Sequence, residues 1–368
     1  MDKNTVLATT VKGIDEATKD IRAFINGLVD SSSFVETDTF LSGKSLLDGS
    51  EAIGEGIVTG YASLDGRPVC VIAQNAAVLG GSFGIGQAKK IIKCMDNALK
   101  NNHTIISVLD SKGARVGEGV TCLEGYAMVL AKAAEVSANV PHIVIAKGNV
   151  IGHMAAYLSM GDFVFAGKDC LISLNSPSVL AANVTKPVKE LFGLKTHSKD
   201  TGIIDFVYAD IQDLKNKITL VLDYTGEYSN DCDDDPNRET ATLENDISVA
   251  NLLAALTDEG RCLEYAAEYS KEIKCYFARV NGVAVGIIAS DTSVNEYMTL
   301  DGAEKITAFA NLLDAYDLPL VTLVNCKGIS TKISDEQSCA VCGAGKLINI
   351  IASLSIPSIA VVVGNAIG

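Results

Sequence analysis

The groups in this chain best placed to do chemistry are peptide N–H groups in glycine loops at the ends of apolar strands. One loop is Lys112-Gly113, after TIISVLDS. Another is GNVIG at 148–152, after PHIVIAK. A strand that ends in glycine leaves backbone N–H groups free to point at a ligand. Two readings are open. The N–H groups form an oxyanion hole for a developing enolate oxygen, or the glycines only allow tight strand-to-helix turns. Both loops occur twice, because PLVTLVNCKG ends in Gly328 and PSIAVVVGNAIG runs through Gly364 to Gly368.

Side chains offer less. Of the four histidines, His103 and His142 sit at strand starts and read as structural. His197 stands apart from the loops. His153 directly follows Gly152, and it reads equally as a catalytic group and as a hydrogen-bonded, partly buried one. No GxSxG, HExxH or kinase pattern is present. The GGSFGIG segment at 80–86 lacks the GK[ST] of a phosphate loop and completes no GxGxxG. It reads as close backbone packing with some anion affinity at a helix start. An enzyme built from these parts works by backbone electrostatics and takes its base from a cofactor or substrate.

The elements that must position these loops alternate. Apolar spacing predicts a helix over 13–30 and a hairpin over 57–75 that turns at Asp65-Gly66. An amphipathic helix with Ile91, Ile92, Met95 and Leu99 on one side follows the glycine-rich segment. TIISVLDSKGAR reads as a buried strand ending in a glycine loop, a helix follows over about 120–138, PHIVIAKGNVIG reads as another strand ending in a glycine loop, and a further helix and more strand come next. This is a layered α/β pattern. Residues 226–240, GEYSNDCDDDPNRET, have a linker composition. Across that linker the blocks repeat at an almost constant offset of 215 to 216 residues, as between Gly113 and Gly328 or Gly152 and Gly368. LDGRPVCVIAQN likewise parallels VNGVAVGIIASD, and Ala88, Lys90 and Ile91 parallel Ala303, Lys305 and Ile306. Two homologous domains are expected, 1–228 and 244–368, joined by an acidic linker at 229–243. The second copy is expected to be incomplete at its C-terminus.

Composition narrows the classes. With 30 basic and 45 acidic residues the net charge is −15, which argues against a nucleic-acid surface. No apolar run approaches a membrane span, and the first 20 residues lack a signal-peptide core, so a cytoplasmic protein is expected. Ten cysteines are scattered through apolar segments and read mostly as small core residues. Cys339 and Cys342 form a lone CxxC, and a zinc ribbon needs two such pairs. No metal is expected.

The ordered set VTGYASLDGRPVCVIAQNAAVLGGSFGIGQAKKI, DSKGARVGEG, GNVIGHMAAYLSMGD and THSKDTGIIDFV resembles the carboxyltransferase subunit of biotin-dependent acyl-CoA carboxylases and decarboxylases. YFARVNGVAVGIIAS, LDGAEKITAFANLLDAYDLPLVTLVN and GAGKLI resemble the C-terminal half of the same family. The resemblance implies two tandem crotonase-like domains, each a superhelix of ββα turns. It implies an active site between the N-domain of one subunit and the C-domain of another, hence a homo-oligomer, a dimer or a larger ring. Acyl-CoA is implied on the N-domain side and carboxybiotin on the C-domain side. Carried onto this chain, Gly152 and His153 form the first oxyanion hole for the thioester enolate, and the second begins at Gly368. Gly80, Gly81, Ser82, Phe83, Lys112, Gly113, Ala114 and Arg115 line the acyl-CoA side; Lys112 and Arg115 read equally as contacts to the CoA phosphates and as solvated loop charges. Gly328 and Gly364 lie on the biotin side.

No biotinyl-lysine segment is visible, so biotin is expected on a separate biotin carboxyl carrier protein. A biotin carboxylase or a membrane decarboxylase subunit would complete the assembly. The chain departs from the family at Lys112, at His153 and Met154, and at Asn325-Cys326-Lys327. A non-glycine residue keeps its N–H but is strained if the loop needs positive φ. The alternative to an active carboxyltransferase is therefore a non-catalytic paralogue that serves as an assembly subunit.

Overall fold

The computed structural model describes residues 2–44, 49–226, 234–235, 237 and 248–367. Gly368 and most of the acidic stretch 229–243 lie outside the described residues. The chain forms two units, residues 1–197 with 206–216 and residues 198–205 with 217–368.

In the first unit α1 (Lys3–Leu28) precedes β1 (Val35–Thr37), β2 (Ile57–Leu64) and β3 (Arg67–Gln74). Then come α2 (Ile85–Asn101), β4 (Thr104–Ser111), α3 (Val120–Ser137), β5 (His142–Ile151), α4 (His153–Leu158), β6 (Phe163–Gly167), β7 (Leu171–Ser173) and β8 (Phe206–Tyr208). The sheet has eight strands in the order β1-β2-β3-β4-β5-β6-β8, with β7 also on β5. β2 and β3 form an antiparallel hairpin, and each later step from β3 to β6 is parallel. The chain passes to the second unit within α5 (Ile211–Thr225).

The second unit runs α6 (Val249–Leu256), β9 (Cys262–Tyr265), β10 (Ile273–Val280), β11 (Val283–Ser290), α7 (Leu300–Ala315), β12 (Leu320–Cys326), α8 (Ala340–Ser353) and β13 (Ser358–Ala366). Its five strands follow chain order, β9 to β13. Here too an antiparallel hairpin, β10–β11, leads into parallel steps. Each unit is thus a succession of ββα turns.

Local sequence explains the elements. Asp65-Gly66 and Asn281-Gly282 all have positive φ, which the tight hairpin turn requires of its two central residues. The Asp30 carboxylate accepts from the amides of Asp65 and Gly66, and Asp258 does the same for Asn281 and Gly282. The bond from Gly66 is the main reason the Asp30 carboxyl is held down at about 2. α1 begins ten residues before the expected start at 13. Its apolar repeat packs only from Ile14 onward (Ile14, Ile21, Ile25 and Leu28 are buried), and the earlier turns are exposed, so the periodic signal starts late. On α2 the buried face is Gln87, Ala88, Lys90, Ile91, Cys94, Met95 and Ala98, with Ile92 and Leu99 at its margin.

The repeat extends to individual hydrogen bonds. Lys90 and Lys305 are each 2% exposed. The Lys90 ammonium donates to the carbonyls of Gly54 and Ile57, at 3.2 and 2.7 Å. Lys305 donates to those of Tyr269 and Ile273, both at 2.8 Å. In each unit a lysine from the helix that follows the hairpin therefore fastens the entry to that hairpin. The bulges at Leu109/Ser111 and Val324/Cys326 repeat as well.

Burial pulls the Lys90 ammonium down to about 8 from 10.5. The unfolded chain holds that proton to higher pH, so this residue's contribution to stability rises as pH climbs between the two values. Lys90→Met removes this donor from the buried Ile57 carbonyl and leaves the Gly54 carbonyl only the Ile57 N–H, and should cost about 1–3 kcal/mol. In urea denaturation at several pH values, the gap between wild type and Lys90→Met should widen from pH 8 to 10.

Candidate active site

The three loops expected to bind substrate meet in the first unit. The Phe83 amide donates to Gly113 O at 2.8 Å, the Arg115 amide to Phe83 O at 2.7 Å and the Lys112 amide to Gly80 O at 3.0 Å. Phe83 and Ala114 form an isolated parallel bridge, so the GGSFG and SKGAR segments are zipped together. Gly113 in turn lies beside Gly152, where a Cβ would stand 3.8 Å from Gly113 Cα. Asp110 ties this region to β5. Its Oδ1 accepts from the Asn149 amide at 3.1 Å, and a side chain at Gly148 would run into the carboxylate.

Backbone conformation separates the glycines that are required from those that are not. Gly80, Gly81, Gly113 and Gly152 have φ of 64, 66, 104 and 76°. Gly152, with ψ at −148°, occupies a region essentially closed to other residues. Lys112, His153, Met154, Asn325, Cys326 and Lys327 are all absent from the positive-φ residues. Each departure from the family pattern therefore falls where any L-residue is comfortable. His153 and Met154 open α4, and their amides have no partner within the helix.

Three expectations need correction. Gly152 does not offer its N–H, which donates to Ser173 O at 2.9 Å. Among the described residues, the amides at this turn without a hydrogen-bond partner are those of His153 and Met154. Arg115 does not face solvent or a phosphate. It is 5% exposed, and its guanidinium donates to Glu55 Oε2 at 2.6 Å and Glu118 Oε1 at 2.8 Å. It also donates to the carbonyls of Glu55 and Ser82 at 3.2 Å. The start of α2 is not open to an external anion either, because the Ile85 amide donates to Glu118 Oε2 at 2.7 Å. The chain supplies its own carboxylate there.

Lys112 is exposed, with its stem across Gly80 and no ion pair among the described residues. Ala114 is exposed and Phe83 is buried. The His153 ring is exposed and lies 4.9 Å from the Tyr126 ring, which stacks on Phe83 at 3.9 Å. His142 is fully buried against Ser107 and Tyr157, and burial lowers it to about 3, so it is neutral. His197 bonds to the Ile172 carbonyl at 2.8 Å.

The second unit repeats the frame with other side chains. The Met298 amide donates to Gly328 O at 3.0 Å, and the Ser330 amide to Met298 O at 2.8 Å. Gly328 has φ of 103°, matching Gly113. Gly364 is pressed against the Asn325 side chain, whose Oδ1 accepts from the Asn365 amide at 2.9 Å. Asn325 thus takes the place of Asp110. Cys339 and Cys342 are joined as a disulfide at the start of α8. Sequence reasoning missed Glu55, Glu118, Asp110 and Tyr126. The recurrence of a polar residue before both KG loops was the one available signal, and it pointed to Asp110.

Comparison with known proteins gives a consistent result. The carboxyl transferase domain family matches residues 15–368. The propionyl-CoA carboxylase beta chain of Roseobacter denitrificans is 28% identical, over 94% of this chain and 72% of the relative. The methylmalonyl-CoA decarboxylase subunit alpha of Propionigenium modestum is 30% identical, over 93% of this chain and 70% of the relative. Among solved structures, a hexameric transcarboxylase 12S with methylmalonyl-coenzyme A and methylmalonic acid bound superposes with a TM-score of 0.87. It is 25% identical and covers 98% of this chain and 78% of that one.

Arg115 is the substitution that separates a structural from a ligand-facing role. Arg115→Met leaves the buried Glu55 carboxylate and the partly buried Glu118 carboxylate without their counter-charge. It should cost about 3–5 kcal/mol in denaturant unfolding.

Proposed function

The chain belongs to the carboxyl transferase family, and on that footing we propose that it moves a carboxyl group between biotin on a separate carrier protein and a short acyl-CoA of the propionyl or methylmalonyl class. The reading is carried by the meeting of Phe83, Gly113 and the Gly152–His153 turn, where two amides without helical partners stand beside paired glycines. The relatives named carboxylase and decarboxylase share this transfer and differ in its direction.

Enolate formation places negative charge on the thioester oxygen. The amides of His153 and Met154 are fixed donors that need no reorganisation to meet it. The Gly152 amide acts one step back, as its bond to Ser173 O sets the angle of the turn. Lys112 is placed at the GGSFG rim to meet the CoA phosphates as a solvated point charge. Biotin, when bound, would supply the carboxyl group and accept the α-proton, or in the reverse direction take up the carboxyl group and return the proton, so the site needs no side-chain base of its own. The second unit fits that role, since Gly328 reproduces the open glycine turn of Gly113. We place the acyl-CoA side in the first unit and the biotin side in the second. The working assembly is a homo-oligomer that receives a biotin carrier protein, together with a biotin carboxylase or a membrane decarboxylase subunit.

The departures at Lys112, His153 and Met154 fall at ordinary φ, which favours an active enzyme over a non-catalytic assembly subunit. The deciding experiment is exchange of labelled carboxyl between methylmalonyl-CoA and free biotin by the purified chain. Exchange well above a protein-free control is expected, and none at all would leave only the assembly role. Gly152→Val should lower turnover about 10²–10³-fold, the scale of a lost oxyanion donor. His153→Ala keeps its amide and should lose less than about tenfold. Lys112→Ala should raise KM for acyl-CoA at low salt, with the difference fading as salt screens the charge.

A further inference from the structure

One buried polar group near these loops takes no part in the hydrogen bonds that join them. The Tyr126 hydroxyl is inaccessible to solvent and has no hydrogen-bond partner among the described residues, and the residue as a whole is 2% exposed. Its ring is stacked on Phe83, 3.9 Å between centroids, a contact that a phenylalanine would make equally well. Retaining an unpaired hydroxyl in such a place costs this state stability, and a partner gained in a ligand-bound state would offset that cost.

The hydroxyl is also aimed. A Cβ on Gly152 would stand 4.0 Å from Tyr126 Oη and 3.8 Å from Gly113 Cα, with nothing closer. The two positive-φ glycines and the phenol therefore wall a recess the size of one atom group. The recess sits at the turn where the Gly152 N–H is already committed to Ser173 O. The ring of the exposed His153 lies 4.9 Å from the Tyr126 ring, centroid to centroid.

We propose that the Tyr126 hydroxyl is a further catalytic donor, which enters the recess over Gly152 and hydrogen-bonds the thioester oxygen of a bound acyl-CoA as it takes on enolate charge. It supplies the place that the committed Gly152 N–H leaves empty. Burial raises the phenol well above its usual value, which keeps it a donor and bars it from acting as a base. The proposal rests on the carboxyl-transfer reading of the site.

The test is Tyr126→Phe in the full chain, with label exchange and thermal unfolding measured on the same preparations. Turnover should fall roughly 10²-fold with little change in KM. The Tm should stay level or rise, since an unpaired buried hydroxyl has been removed. A variant that turns over within about twofold of wild type, well below the loss of an oxyanion donor, overturns the proposal and leaves the carboxyl-transfer reading intact. A variant whose Tm falls together with its activity assigns the hydroxyl a packing role and also overturns it. A wild-type chain that exchanges no label removes both.

Discussion

The site is held together by one buried cation. Arg115 sits between the carboxylates of Glu55 and Glu118 and also bonds the carbonyls of Glu55 and Ser82. Those partners belong to the entry of the first hairpin, the GGSFG loop and the approach to α3. Glu118 in turn caps the first amide of α2. A guanidinium can do this because its donors are fixed in a planar fork and its charge is permanent. The arrangement resists removal of Arg115, because that would leave the buried Glu55 carboxylate and the mostly buried Glu118 carboxylate without their counter-charge. The loops that carry Gly113 and Phe83 are therefore positioned by electrostatics they do not themselves contain.

The two units show what must be kept for such a frame to form and what is free to vary. The lysine at the hairpin entry, the positive-φ glycine after the parallel strand and the bulge before it are present in both. The polar group beneath the GN turn is an aspartate in one unit and an asparagine in the other, and in both it accepts an amide one residue past a glycine. Only the acceptor oxygen is needed there, and either residue has one. Arg115 corresponds to Ser330 through the same amide bond to the bridge residue. The ionic cluster is a property of the first unit's loop and not of the repeat.

A site made of peptide groups, as proposed for this turn, would tolerate changes that silence a site made of side chains. Lys112, His153 and Met154 alter side chains while leaving their amides where they were. Gly152 is the residue that cannot change, since its φ and ψ exclude a Cβ. Shape and backbone strain thus hold the constraint that sequence pattern alone would have placed on all three residues of the loop.

The amino-acid sequence by itself determined the alternation of strands and helices, the Asp65-Gly66 hairpin and the duplication. Each of these is written in local periodicity or in an offset between blocks. It also marked Gly113, Gly152 and Gly328 as special, because glycine is the one residue whose identity reports a backbone angle. What it did not determine was the partner of any group. That Gly152 gives its N–H to Ser173, that Arg115 faces Glu55 sixty residues away and that Tyr126 ends against a glycine recess depend on which strands become neighbours. Charge and hydrogen-bonding capacity can be read along a chain. Whether they are spent inside the protein or left for a ligand is decided only when tertiary structure brings distant segments within about 3 Å.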